Sequence, residues 1–324
     1  MSDDMWTHQY DQQVNQISCV KFPGRSIFRT NNEEAHLFGL EPNFGCCTAN
    51  HNQGWPKLAL SIYLKNSNGI TAALILPSLL KTKINGVGVE VECDTQYPFR
   101  NSAVYKIKTE KECEVELKIR IPSWAKELTV NGEKQENNGY VIINKKWSGF
   151  ENVAVSFEAE PKVVSRSFGM NVVEYGSLIF SLPIKAEYKM YEYEKDGVER
   201  KYPYCDYELY GQSEWRYGLS DTTFSVKEYE GDGIPFSSVS PKISLTAKLK
   251  PVLWDFAEGY ETVSEKTPVS NKAIGEECEK ELIPYGCAKL RITEMVIMIV
   301  VCRNAEKRFD KPLFKWLRQN YFKK

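Results

Sequence analysis

Long apolar runs are missing from this sequence. The longest near the carboxyl end, Met295 to Cys302, is eight residues, whereas a membrane-spanning helix needs roughly 20. No membrane partner is expected. Charge of one sign is missing too: 42 lysines and arginines stand against 43 aspartates and glutamates, a formal net charge of −1. No global field exists to draw in a polyanion, so nucleic acid is not an expected partner. The opening Met1-Ser2-Asp3-Asp4 has neither a basic stretch nor an apolar one, which predicts no secretory signal and a cytoplasmic location. Histidine is scarce, with only His8, His36 and His51. Cysteine is present nine times, an odd and scattered set that cannot pair completely, so reduced thiols are expected. Of these, Cys93, Cys113, Cys205, Cys278, Cys287 and Cys302 read as small core or surface residues. No repeat of 20 to 50 residues is visible, which excludes a solenoid or propeller.

What is present suits a folded protein of more than one domain. Hydrophobic residues make up 42% and charged residues 26% of 324 positions, far from disordered compositions. Residues 1–66 hold all three histidines and one helix signal, with Trp55, Leu58, Ala59 and Ile62 at helical spacing and Pro56 in the first turn. From Ile70 the period becomes two. Val87, Val89 and Val91 alternate with other residues, as do Val115, Leu117, Ile119 and Ile121, and then Val153, Val155 and Phe157. Asn-Gly pairs at 85–86, 131–132 and 138–139 fall between such runs, where residues tolerant of positive φ make tight hairpins. A second strand-rich stretch carries runs at 177–183, 222–227 and 243–249, with a tyrosine-rich middle from Tyr188 to Tyr217. Those tyrosines read as core edges with wet hydroxyls, and a sugar-stacking surface is the alternative. The expected division is 1–66 helical, 67–162 and 163–293 as two antiparallel β-sandwiches, and 294–324 as a solvated basic tail containing a strand and a helix.

Chemistry concentrates in Pro42-Asn43-Phe44-Gly45-Cys46-Cys47-Thr48-Ala49-Asn50-His51 and the adjoining Gln53-Gly54-Trp55-Pro56. Adjacent cysteines after a glycine and before a helix are expected on a loop at the helix entry. Backbone N–H groups and the helix dipole would there favour thiolate, the form that acts as nucleophile and as zinc ligand. Two adjacent cysteines cannot complete a tetrahedral site, so two more ligands must come from elsewhere. By spacing alone, inert cysteines and a metal or catalytic pair both stay open.

Phe44-Gly45-Cys46-Cys47-Thr48-Ala49-Asn50 with Gln53-Gly54-Trp55-Pro56-Lys57 resembles the Cys-Cys-x-x-Asn signature of glycoside hydrolase family 127, the β-L-arabinofuranosidase-like proteins. Residues 6–16, Trp-Thr-His-Gln-Tyr-Asp-Gln-Gln-Val-Asn-Gln, are similar to the segment preceding that signature, and weaker similarity continues at 121–125, 130–132, 175–178 and 283–287. The resemblance implies a mainly β chain: the last helices of an (α/α)6 barrel followed by two antiparallel β-sandwich domains. It implies a retaining glycoside hydrolase acting on an L-arabinofuranoside-like carbohydrate, with Cys46 as nucleophile and Cys46 and Cys47 on zinc. It also suggests Gln13 and Asn15 as sugar-contacting residues, and His8 and His51, which flank the motif, are candidates to touch a sugar hydroxyl or orient a ligand, against the alternative of polar loop residues without such a role. His36, inside Asn-Glu-Glu-Ala-His, reads as simply solvated.

The chain departs from the family in one respect. The remaining zinc ligands, a Glu-x-Cys pair, and the acid/base glutamate belong upstream in the family, yet no Glu-x-Cys occurs in the 45 residues before Cys46. Glu276-Glu277-Cys278 has the spacing but lies in the β region, and Cys19 lacks matching neighbours. A catalytic site shared with a missing N-terminal barrel segment is therefore expected, with an isolated chain inactive and apolar surface exposed at Trp6, Phe44 and Trp55. The alternatives are a noncatalytic β-sandwich module binding carbohydrate or a partner, and a structural remnant.

Overall fold

The computed structural model describes residues 2–28, 31–39 and 45–298. Phe44 and the basic stretch 299–324 lie outside the described residues, so the expectations placed on them are not addressed by the structure. The described chain is mainly β, with helices only at Gly45–His51 (α1), Gly54–Ser61 (α2) and a 3-10 turn at Ser167–Gly169.

The first sheet has eight strands and runs from Tyr63–Lys65 to Tyr140–Glu158. Its frame is a pair of 19-residue antiparallel strands, Ser102–Arg120 and Tyr140–Glu158. Their register slips between Thr109 and Cys113, opposite Gly149 at φ 72°. A bulge of this kind bends a strand. Residues on both sides of the slip, Tyr105 and Ile107 before it and Val115, Leu117 and Ile119 after it, enter one core with Val89, Val91 and Trp147. Trp147 settles its indole N–H on the Val115 carbonyl at 2.9 Å. The alternating pattern thus fills the core, as period-two burial requires.

Asn85-Gly86 and Asn131-Gly132 have positive φ at both positions and close two-residue hairpins, Ile84 facing Val87 and Val130 facing Glu133. Asn138-Gly139 does different work. Only its glycine has positive φ, and its carbonyl accepts the Ile121 N–H at 2.9 Å in a connection between strands. The all-antiparallel expectation also needs one correction: Gly69–Ala72 runs parallel to residues 116–119. Gly69 permits that approach, because a Cβ there would stand 2.6 Å from the Glu116 carbonyl oxygen.

A second sheet of seven strands begins at Lys162–Ser165 and ends at Leu290–Ile292. From it a long arm projects, made by Ala186–Tyr191 pairing with Asp206–Gly211 and, further out, Tyr193–Lys195 pairing with Val198–Arg200. Residues 2–28 and 31–39 do not form a helical unit with α1 and α2. They lie in extended segments bridged to this second region: Gln16 pairs with Arg291, Cys19 with Leu209, and Phe38 with Tyr207. Ile17, Cys19 and Phe38 join the core of the second sheet. Met295, Val296 and Met298 enter the same core, so the start of the expected tail is packed rather than solvated.

Two of the sequence stretches singled out above meet between the sheets. Trp124 packs over Gly176, whose φ of +60° and missing Cβ leave room for the indole, and the Tyr97 hydroxyl bonds Ser177. Phe99 inserts into the second core and meets Phe236 at 5.0 Å. Arg100 beside it donates to the Tyr229 carbonyl at 2.8 Å and pairs with Glu228 at 3.2 Å. Apolar insertion next to a multiply bonded guanidinium ties the two sheets by packing and by directional bonds. Among the described residues, no helix is long and apolar enough to cross a membrane.

Candidate active site

Cys46 and Cys47 lie in the first turn of α1, not on a loop before it. Their sulfurs are 3.6 Å apart, with Cys46 exposed and Cys47 half-buried. The helix entry does not by itself lower the Cys46 thiol pKa. Cys47 beside it raises the Cys46 thiol above its ordinary value of 9.0, because two adjacent sulfurs resist ionising together. Asn50 donates to the Cys46 carbonyl at 2.7 Å and accepts from Gln53 at 2.8 Å. The polar residues after the cysteines therefore brace the turn that carries them.

A second element meets the helices from the amino-terminal side. The chain is extended around His8, where His8 and Gly39 exchange backbone hydrogen bonds at 2.9 and 3.0 Å. Thr7 and Gln9 are buried while Trp6 and Tyr10 are exposed, so Trp6, His8 and Tyr10 share the outer face, as alternation along a strand dictates. Each of the three touches a partner. The Tyr10 hydroxyl bonds the Cys47 thiol, which holds the phenol above its ordinary value of 10.0. His8 stacks on His51 with ring centroids 6.0 Å apart and planes 6° from parallel. Trp6 meets Tyr204 of the arm at 5.1 Å. His51 continues the row to Trp55, edge to face at 6.3 Å. Burial, followed by the charge of His51, lowers the His8 pKa below 6.5, which keeps the ring neutral and able to both donate and accept near pH 7.

Of the candidate residues, the structure brings together Cys46, Cys47, His8 and His51, and sets Tyr10 and Trp55 beside them. Gln13 and Asn15 stand apart. The Asn15 carboxamide accepts the Thr293 and Glu294 N–H groups at 2.8 and 2.9 Å and donates to the Glu294 carbonyl at 3.1 Å. That side chain is committed to holding the amino-terminal segment on the second sheet rather than to a sugar. Gln13 is tied through its backbone, its carbonyl accepting from Arg291 at 2.7 Å. His36 is not solvated but 2% exposed, with Nε2 2.7 Å from the Val20 carbonyl. Its neighbours in sequence are charged, but the turn at 33–36 faces them outward and sends the ring inward. Tyr10 was legible as the second-next residue after His8, a period-two signal that hydropathy hides because all five residues are polar or amphipathic.

Two sulfurs at about 2.3 Å from one tetrahedral zinc stand about 3.8 Å apart, so the 3.6 Å pair fits half of a zinc shell. Among the described residues no group of three or more His, Cys, Asp or Glu is placed to complete it.

Residues 69–159 match the family model described as Beta-L-arabinofuranosidase, GH127 middle domain. Residues 69–159 are thus similar to a GH127 middle domain. Its match falls on the first sheet, immediately downstream of the thiol pair. Three solved structures share the fold. Ara127N-Se, a GH127 beta-L-arabinofuranosidase from Geobacillus stearothermophilus T6, is 19% identical with a TM-score of 0.51, over 78% of this chain and 37% of that one. A protein described as a glycoside hydrolase is 17% identical with a TM-score of 0.61, over 92% of this chain and 46% of that one. A GH127 beta-arabinofuranosidase is 16% identical with a TM-score of 0.53, over 92% and 43%. At these identities the likeness is one of fold, and this chain spans less than half the length of each. No curated protein matches the chain. The GH127 resemblance seen in the sequence is thus met in the first sheet, whereas Cys46 and Cys47 lie outside the matched residues.

Proposed function

We propose that the chain is the carboxyl-terminal part of a retaining glycoside hydrolase of the β-L-arabinofuranosidase type, and that Cys46 is its nucleophile. The observation that carries this reading is the 3.6 Å thiol pair set beside Tyr10, His8 and His51, directly before a GH127 middle domain. In the reaction the Cys46 sulfur forms a bond to the anomeric carbon as the bond to the leaving oxygen breaks. Water later displaces the sulfur and restores the configuration. Cys46 and Cys47 would hold zinc, which supplies thiolate at neutral pH. On this reading neutral His8 would hydrogen-bond a sugar hydroxyl, and the Tyr10 hydroxyl would fix the Cys47 sulfur. The proton for the departing oxygen, and the other two zinc ligands, come on this reading from a helical segment outside the chain.

That segment has a place to dock. Every residue of α2 is exposed, including Trp55 at 58% and Leu60 at 80%, and an isolated eight-residue helix is not stable in water by itself. We take α1 and α2 as the last helices of an (α/α)6 barrel, followed by β units at about 67–162 and 163–293.

The test uses the chain together with its upstream barrel segment. Cys46→Ser should abolish turnover of an aryl β-L-arabinofuranoside while much of the zinc remains, because a serine hydroxyl is a far weaker nucleophile. Cys47→Ser should lower zinc content first. An arabinofuranosyl inactivator directed at cysteine should label Cys46 by mass spectrometry. Labelling of Cys47 would reverse the roles. An assembled protein without zinc or labelling would instead be a noncatalytic carbohydrate-binding module.

A further inference from the structure

The arm of the second sheet and the amino-terminal segment enclose a cavity of about 500 Å³, separate from the thiol pair and unused by the mechanism above. Its size lies within the roughly 300–1,000 Å³ of small-molecule sites. Tyr191, Tyr193 and Glu194 line it from the arm, Lys21 and Glu34 from the amino-terminal segment, and Asp206 from the strand opposite Tyr191. Asp206 is 6% exposed. Its carboxylate reaches that depth by packing against Gly39, where a Cβ would collide with it. The Tyr193 hydroxyl donates to Asp206 Oδ2 at 3.0 Å, and a carboxylate has about four acceptor sites, so capacity remains for a ligand hydroxyl. Burial, with the Asp206 charge next, pushes the Tyr193 hydroxyl up to about 12, which keeps it a donor.

The wall chooses among ligand classes. Three carboxylates, Glu34, Glu194 and Asp206, share the wall with two lysines, Lys21 and Lys195, and Lys21 stands 2.6 Å from Glu34, so neither an anion nor a cation meets a concentrated opposite charge. No group of three metal-binding side chains occurs among the described residues. A neutral polyhydroxyl ring meets every feature: hydroxyls to donate to Asp206, oxygens to accept from Lys21, and C–H faces to stack on Tyr191, which is half exposed at the rim. We infer that this cavity is a second, noncatalytic site for a neutral sugar.

Calorimetry and saturation-transfer NMR on the full 324-residue chain, with L-arabinose and maltotriose as probes, test this. At least one probe should bind saturably. Asp206→Asn should weaken it about tenfold, as loss of a hydrogen bond to a charged group does, and Tyr191→Ala about fivefold. Cys46→Ser should leave it unchanged. Melting curves identify any variant that fails to fold, and Tyr191, at the rim, keeps the test open if Asp206→Asn does. Binding by neither probe, or equal binding in both folded arm variants, overturns the inference. So does binding lost in Cys46→Ser, which would place the sugar at the thiol pair. Labelling of Cys46 is a separate readout, so this site and the catalytic reading can fail independently.

Discussion

Residues 2–28 and 31–39 and the helices α1 and α2 are near neighbours in the chain but differ in how they are held. The first segment is extended and polar, yet it is stitched into the second sheet through Gln16, Cys19 and Phe38. The helices carry the stronger local signal and contribute nothing to either large core. The difference teaches that helical periodicity reports an apolar face, not a partner for it. The partner of residues 2–28 and 31–39 is the second sheet, whereas α2 has no core partner among the described residues.

The comparison breaks most readily at Phe38, which is 2% exposed in the second core. Phe38→Ala should cost about 3–5 kcal/mol in urea unfolding, as phenylalanine-to-alanine changes in cores do. A loss near zero would mean that the segment is merely laid on the surface. Asn15→Ala should cost about 1–3 kcal/mol, because it leaves the Thr293 and Glu294 backbone groups without their partner. Restored stability in Asn15→Asp, which keeps the acceptor, would show that those two N–H groups are what the carboxamide serves.

A pH measurement sharpens the same contrast. Burial lowers the His36 pKa below 6.5, against the Val20 carbonyl and the Glu208 and Asp11 carboxylates, which raise it. The folded state then binds fewer protons than the unfolded chain between the folded pKa and 6.5. Stability from this group is complete above pH 6.5 and falls as pH drops through that window, at no more than about 1.4 kcal/mol per pH unit. Unfolding followed from pH 7.5 to 5.5 should show the slope, and His36→Gln should flatten it. The smallest expected effect is at Leu60. Leu60→Ser should change the stability of the chain by no more than about 0.5 kcal/mol, while reducing its self-association in light scattering. A large loss of stability would show that α2 is packed after all.

The strands at 87–91, 115–121 and 153–157 were legible because alternation and hairpin turns are local, depending on residues one or two apart. The turns at 85–86 and 131–132 obeyed that rule. The pair at 138–139 did not, since it sits in a longer connection between strands, and no local property distinguishes the two uses. The thiol pair stood out by its resemblance, whereas the contact of Tyr10 with Cys47 and the row His8, His51, Trp55 arise only where the segment around His8 meets the helices.

By itself the sequence determined the mainly β character and the positions of most strands, and it singled out Cys46 and Cys47 as the pair to test. These depend on periodicity, run length and a compact motif, all of which are properties of short windows. Tertiary structure alone decided that His36 is buried, that Asn15 is a brace and that a cavity forms between Asp206 and Lys21. Each depends on groups far apart in the chain, as when Asn15 bonds a carbonyl 279 residues away. Such pairings leave no local mark, because either partner is satisfied equally well by water until the fold removes the water and supplies the other.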